Sequence, residues 1–396
     1  MDYTKLYAKR ALQLERSAIA ALKDEAKTVP GILSLGEGVP APELFPVEEL
    51  SIVAAKVFEE EGREVLQYGD GLGGLELRRH LSRIMTKYGI NIEPDQIQVT
   101  SGSMQSLDMA ARLFLEAGDT VLVEDPTFID AKNCLAMTGA SLKGISCDEE
   151  GMDLQLLAKA LETDSSIKAI YVIPDYQNPT GLCWSDKRRR EFMALVAKYN
   201  VIILEDNPYG EITYTGKYHK ALSAYDAKGQ VLFMGSLSKT LSPGLRIGWV
   251  AGRADIMTQL SLVKECSDIH SSLPDHALAA GFMNIYSYDD HVASMNKVYK
   301  DRRDTLVKEL QNELPDFTFT VPEGGFFLWL YLPVGVNEYE FFKNSINAGV
   351  LVIPGTPFFV NKEERGYVRL NFTGLGPDDL TEAVKRLAQA YQNMIK

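Results

Sequence analysis

Between about residue 95 and residue 251, short apolar runs alternate with amphipathic stretches, and no other feature limits the possible folds as tightly. The runs are "IQVT" (97–100), "TVLVED" (120–125), "SLKGIS" (141–146), "AIYVIP" (169–174), "VIILED" (201–206), "VLFMGS" (231–236) and "IGWVAG" (247–252). Several are nearly unbroken Val/Ile/Leu, the composition of strands covered on both faces. The stretches between them have helical spacing. In "SDKRRREFMALVAKYN", Phe192, Leu195, Val196 and Tyr199 fall on one face behind Ser185, a suitable N-cap. Strand–helix alternation on this scale predicts an α/β fold whose large unit holds a mostly parallel, seven-stranded sheet flanked by helices.

The 396 residues exceed one ordinary core. After about residue 285 the texture changes to a long charged helix, then "FTFTVPEGGFFLWLYLP" and "GYVRLNF". This predicts a smaller α+β unit over 286–396 beside a large unit over 46–285. Residues 1–45, a helix and the Gly/Pro-rich crossing "GILSLGEGVPAPELFP", are expected to form an arm packed on the smaller unit.

With 54 acidic against 41 basic side chains the net charge is −13, which argues against nucleic acid and anionic membranes as partners. The N-terminus has no apolar signal core. "FFLWLYL" stops at Pro333 and is far too short to span a bilayer, so a soluble, cytoplasmic protein is expected. Cys134, Cys147, Cys183 and Cys266 form no CxxC pair, and no metal is expected.

In open α/β sheets ligands bind beyond the carboxyl ends of the strands. There the chain places an unusual set. "GSLSKTLSPGLRIG" (235–248) surrounds Lys239 with Ser236 and Ser238, adds Arg246, and contains no carboxylate. A buried lysine loses charge and gains nucleophilicity. In "SGSMQS", Ser101, Gly102 and Ser103 turn a strand end into a helix expected to begin near Met104, leaving N–H groups for an anion. Phe128 in "PTFIDA" could stack on a flat ring. Asn178 in "DYQNPTG", and Asp206 and Tyr209 in "EDNPYG", add an amide, a carboxylate and a phenol. Each alone also suits an ordinary loop or core position. Together they suit one ligand that offers an aldehyde to Lys239, a phosphate to Ser103, Ser236, Ser238 and Arg246, and a basic ring nitrogen to Asp206. That ligand is pyridoxal 5′-phosphate.

The segments "SGSMQSLDM", "YQNPTG", "LEDNPY", "SLSKTLSPGLRIGW" and "YVRLNF" resemble the ordered signature of fold-type I, pyridoxal-phosphate-dependent aminotransferases of class I/II. "PGILSLGEGVPAPELFP" is similar to the branch that contains 2-aminoadipate and kynurenine aminotransferases. The resemblance implies transfer of an amino group from an L-amino acid, with an aromatic, an aminoadipate-like and a broad donor range all open, to a 2-oxo acid, 2-oxoglutarate being the expected acceptor, by a ping-pong mechanism. It also implies a homodimer with shared active sites. Lys239 would bond the cofactor and then move protons, Asp206 would keep the ring nitrogen charged, and Phe128 would stack on the ring. Asn178 and Tyr209 would touch the ring oxygen. Ser103, the Met104 backbone, Ser236 and Arg246 would hold the phosphate, with Tyr68 reaching the phosphate of the neighbouring subunit. Arg369 would bind the substrate α-carboxylate. Gly38, Glu37 and Arg16 would stand near the substrate. The run "LGEG" departs from the branch at Glu37, which could pair with Arg16 and turn the site away from acidic donors. Asp175, before "YQNPTG", is a second departure that the sequence leaves unexplained. Another reaction on the same cofactor (elimination, decarboxylation or a synthase step) and an aminotransferase-like ligand sensor stay open at this stage.

Overall fold

The computed structural model describes residues 3–13, 24, 29–361 and 366–395. The expected runs form strands Ile97–Ser101, Thr120–Asp125, Ser141–Asp148, Ile167–Val172, Ile202–Asn207, Val231–Ser236 and Ile247–Ala251. An eighth strand, Gly151–Met152, pairs antiparallel with Ser141–Asp148 and extends the sheet. Two residues are too few to carry a periodic pattern, so the expected seven strands are one short.

Across this sheet the order is Ile97–Ser101, Ile247–Ala251, Val231–Ser236, Ile202–Asn207, Ile167–Val172, Thr120–Asp125, Ser141–Asp148 and Gly151–Met152. The four pairings from Val231–Ser236 across to Ser141–Asp148 are parallel. Strand Ile247–Ala251 runs antiparallel to both neighbours. Its first residue therefore stands at the edge where the other strands finish, which is why Arg246 joins the strand ends.

Side chains alternate across a strand, and here both faces are apolar. Val121 and Val123 pack into one cluster and Leu122 into another; Leu204 and Ile203 divide in the same way. Helix Asp186–Val196 covers one face with Phe192, Met193 and Val196, and Ser185 caps it by accepting from Arg188 N (3.0 Å).

A second sheet joins strands Thr318–Phe319, Phe327–Tyr331, Tyr367–Asn371 and Ile353–Pro354, all antiparallel. Its register sets Arg369 opposite Trp329 on one side and Ile353 on the other. Helices Tyr288–Glu313 and Pro377–Ile395 back it, Leu306, Leu310, Val384 and Leu387 sharing one core with Val368 and Leu370. The crossing segment is tied to this region, since strand Leu33–Ser34 pairs in parallel with Val350–Leu351. The described start of the chain has short 3-10 turns at Tyr3–Leu6 and Lys9–Gln13; Arg16 and the helix expected around it lie outside the described residues. No helix among the described residues is long and apolar enough to cross a membrane.

One polar contact inside the large sheet is open to a direct test. Glu124, wholly buried, accepts from Ile173 N (2.7 Å) and Trp184 Nε1 (2.9 Å). Burial pushes its pKa up to about 7 while these bonds pull it down. Trp184→Phe keeps an aromatic ring against Phe192 but leaves Glu124 Oε1 with only the long contact from Cys147 Sγ (4.0 Å). We expect a loss of about 1–3 kcal/mol in chemical denaturation; an unchanged midpoint would show that the indole N–H contributes nothing.

Candidate active site

The carboxyl ends of the large sheet and the second sheet enclose a cavity of about 310 Å³. Strand Ile97–Ser101 delivers the first wall. Gly102, at φ +80°, turns the chain into helix Ser103–Phe114. A Cβ at Gly102 would overlap the Arg246 guanidinium, and one at Gly248 would overlap the Gly102–Ser103 peptide. Glycine at both positions thus lets strand, helix start and arginine meet. The first-turn N–H groups of Ser103 and Met104 have no intrahelical acceptor and carry the positive end of the helix dipole. Arg246 bonds Ser101 O and Pro243 O, both at 3.2 Å, and its own backbone lies at φ +51°. A left-handed conformation at a non-glycine residue costs about 1–3 kcal/mol and persists only where its surroundings dictate it. Ser236 and Ser238 complete this side, Ser238 N donating to Ser236 Oγ (3.1 Å).

Lys239 follows in the same wall. Its Nζ donates to Gly38 O (2.9 Å) and lies 5.7 Å from the Phe326 ring centre and 6.0 Å from that of Tyr209. Burial, then Arg369 and Arg246, lower its pKa to about 8, against the pull of Asp206. Asp206 is buried at the end of strand Ile202–Asn207. One oxygen accepts from Tyr171 OH (2.8 Å), whereas Oδ1 has no hydrogen-bond partner among the described residues. Burial pushes this carboxyl up to about 6, although Tyr171 and Lys239 stabilise the anion.

The second sheet supplies Arg369, which is almost wholly buried. It donates to Asn178 Oδ1 (2.9 Å) and Gly36 O (2.7 Å). Its guanidinium lies 4.3 Å from the Phe327 ring centre and 5.0 Å from that of Phe358, while Nε has no partner among the described residues. Burial lowers its pKa to about 10, with Tyr209 and Asp130 opposing. Tyr209, buried, also interacts with the Asn178 amide. Phe128 lines the cavity from the start of helix Ile129–Ala136.

The expected residues Ser103, Met104, Phe128, Asn178, Asp206, Tyr209, Ser236, Ser238, Lys239, Arg246, Arg369 and Gly38 therefore share one cavity. Two do not. Glu37 is half-buried beside Gly38 but outside the cavity wall. Tyr68 is 75% exposed and packs edge-on against His270. Arg16 falls outside the described residues. Sequence reasoning missed Tyr171, which reads as one more apolar strand residue, and Asp130, Phe327 and Phe358, which carry no motif of their own.

The donor and acceptor set fits pyridoxal 5′-phosphate. The orphaned Asp206 oxygen matches a protonated ring nitrogen. Helix N–H groups, hydroxyls and Arg246 match a phosphate. An amine of lowered pKa matches an aldehyde.

Comparison with known proteins agrees. Residues 30–387 match the model of the family "Aminotransferase class I and II". The chain is 35% identical to aromatic-amino-acid aminotransferase 1 of Thermococcus litoralis, over 100% of this chain and 96% of the relative. Kynurenine aminotransferase of Pyrococcus horikoshii, solved with PMP, superposes with a TM-score of 0.94 at 33% identity, covering 100% of this chain and 99% of that one. The α-aminoadipate aminotransferase of Thermus thermophilus, solved with N-(5′-phosphopyridoxyl)-L-leucine, gives 0.91 at 28% identity, again over 100% and 99%. A matched signature, a superposable fold and a cavity suited to the cofactor lead to one conclusion: the chain belongs to the class I and II aminotransferases and works with pyridoxal phosphate.

Proposed function

We propose that this cavity transfers the amino group of an aromatic or otherwise largely apolar L-amino acid to a 2-oxo acid, 2-oxoglutarate being the expected acceptor. The unpartnered Asp206 Oδ1, in a cavity that also holds the Lys239 amine, carries the reading. The apolar side chains Val39 and Phe327, which line the cavity with Arg369, support such a donor.

Bound there, pyridoxal phosphate supplies an aldehyde to accept the amino group and a ring that draws electrons from the substrate α-carbon. Asp206 Oδ1 would hold the ring nitrogen, and Phe128 would cover the ring face. Asn178 and Tyr209 would meet the ring oxygen. Ser103, the Met104 N–H, Ser236, Ser238 and Arg246 would hold the phosphate. Lys239 Nζ takes the proton from the donor's α-carbon, a task helped by a pKa near 8. Arg369 receives the donor's carboxylate; the flanking phenyl rings fix its plane, and Nε remains available as a donor. Phe327 and Phe358 also exclude water from that contact, which strengthens it.

The assembly belongs to the same proposal. Phe58, Leu66, Tyr68 and Ile269 are large, apolar and exposed. A second copy covering them would let Tyr68 approach the partner's phosphate site. The divisions at 45 and 285, supported by the two separate sheets, and a cytoplasmic location complete the proposal. Arg16 and Glu37 are proposed to shape the entrance, with Gly38 at the substrate. Cell fractionation, truncation at residue 285 and Arg16→Ala or Glu37→Gln with acidic donors test these points; membrane recovery, a truncated chain that loses the fold of its large sheet, or unaltered donor preference would contradict them.

Four outcomes follow for the purified protein. Lys239→Ala abolishes transamination and the long-wavelength absorbance that depends on the lysine–cofactor bond, and retained turnover would end the assignment. Arg369→Ala removes a buried charged contact, at about 2–5 kcal/mol, lowering kcat/KM chiefly through KM for the donor; an unchanged KM would remove Arg369 from carboxylate binding. A panel of aromatic, branched, acidic and sulfur-containing donors should favour the aromatic ones. Light scattering should report a dimer, and a single-chain mass would rule out the shared site.

A further inference from the structure

Three of the residues just assigned to the cofactor ring hang on one buried ionic network. Arg189, on helix Asp186–Val196, is wholly buried. Its Nη2 donates to Asp175 Oδ1 (2.6 Å) and Pro174 O (2.9 Å), and Nε donates to Trp184 O (3.1 Å). Burial opposes its charge, but Asp175 and its neighbours hold its pKa above the ordinary value. The other Asp175 oxygen accepts from Asn207 Nδ2 (2.8 Å), and Asn207 Oδ1 accepts from Gly210 N (2.8 Å). The network thus runs from a covering helix, through the turn that carries Asn178, to the strand end that carries Asp206 and Tyr209.

Each joint sits next to a ring contact. Asn207 follows Asp206 directly, Gly210 follows Tyr209 directly, and Asp175 begins the turn to Asn178. That turn is under tension, because Tyr176 between them sits at φ +50°. A bulky residue in the left-handed region stays there only if its surroundings over-determine it. Here the Asp175 carboxylate anchors one side. Gly324 and Gly325 close on the Tyr176 ring and backbone on the other, where any Cβ would collide.

We propose that Asp175 is a positioning residue: clamped by Arg189 and holding Asn207, it fixes Asn178, Asp206 and Tyr209 in one mutual geometry for the cofactor ring. The inference rests on the proposed reading of the cavity and goes beyond it, since Asp175 does not line the cavity. It also accounts for the carboxylate that the sequence left unexplained. In the wild-type arrangement Asp175 offers only acceptors, one toward a guanidinium and one toward an amide. An amide in its place would set an N–H against the Asn207 N–H or against Arg189. Asn207 would then turn, and the Gly210 contact with it.

The test uses holoenzyme and follows cofactor loss during dialysis, by absorbance, beside kcat and KM. Asp175→Asn is expected to release cofactor and to lose kcat, each by about tenfold, the size of one charge-assisted hydrogen bond. KM for the donor changes little, because Arg369 keeps Gly36 and its two phenyl rings. The exchange variant Asp175→Asn/Asn207→Asp returns one amide and one carboxylate to the pair with donor and acceptor reversed. It should recover both readouts. Asn207→Ala, which leaves the Arg189–Asp175 pair intact, tests the Asp206 arm should Asp175→Asn fail to fold; it too should release cofactor faster. Parental release and kcat in Asp175→Asn or Asn207→Ala, with only the unfolding midpoint lowered, would overturn the proposal. So would a folded exchange variant no better than Asp175→Asn. A colourless parent protein unable to take up pyridoxal phosphate would instead defeat the underlying reading of the cavity.

Discussion

Parallel strands finish at the same edge of their sheet, and the chemistry of this chain depends on that directional rule. Strands Ile97–Ser101, Thr120–Asp125, Ile167–Val172, Ile202–Asn207 and Val231–Ser236 each release their loop at one edge, and the reversed strand Ile247–Ala251 starts there. Lys239, Arg246 and Asp206 meet without being near one another along a single element. Confinement then sets their properties. Withdrawal from water lowers the lysine to about 8 and raises the carboxyl to about 6, each driven toward its neutral form. Their mutual attraction works against that drive, so each keeps the other partly charged.

The second sheet contributes differently. Arg369 sits mid-strand, paired in register on both sides, with its guanidinium between two phenyl rings. A loop arginine could swing; this one is held by backbone pairing and aromatic faces at once. Its bond to Asn178 Oδ1 then links the two sheets across the cavity (2.9 Å). Burial of so large a cation is tolerated because a carbonyl, an amide oxygen and two ring faces surround it.

Much of this was legible in the sequence, for a physical reason. Strands covered on both faces are long Val/Ile/Leu runs, and the residue after such a run must stand at a sheet edge. Lys239, Asp206, Asn178 and Ser103 were visible because each follows one. Tyr171 was not, since a phenol inside a run has the same pattern as any core aromatic. Asp175 is visible but inexplicable from sequence, because its partner Arg189 lies fourteen residues on, in a helix whose neighbouring arginines suggest a solvated face. Gly151–Met152 was too short to see. Tyr68 shows the remaining limit: its exposed ring gives no role within one chain, and only the likeness to a family suggested one.

The two glycines at the phosphate corner have a further implication. The peptide joining Gly102 to Ser103 lies so close to Gly248 that a side chain at Gly248 would part strand from helix, and one at Gly102 would displace the Arg246 guanidinium. That corner is frozen as a backbone mould, indifferent to what the rest of the ligand looks like. The opposite wall is confined in another way: a Cβ at Gly38 would meet the Phe327 ring at 2.8 Å, so a side chain there would displace the ring that flanks Arg369.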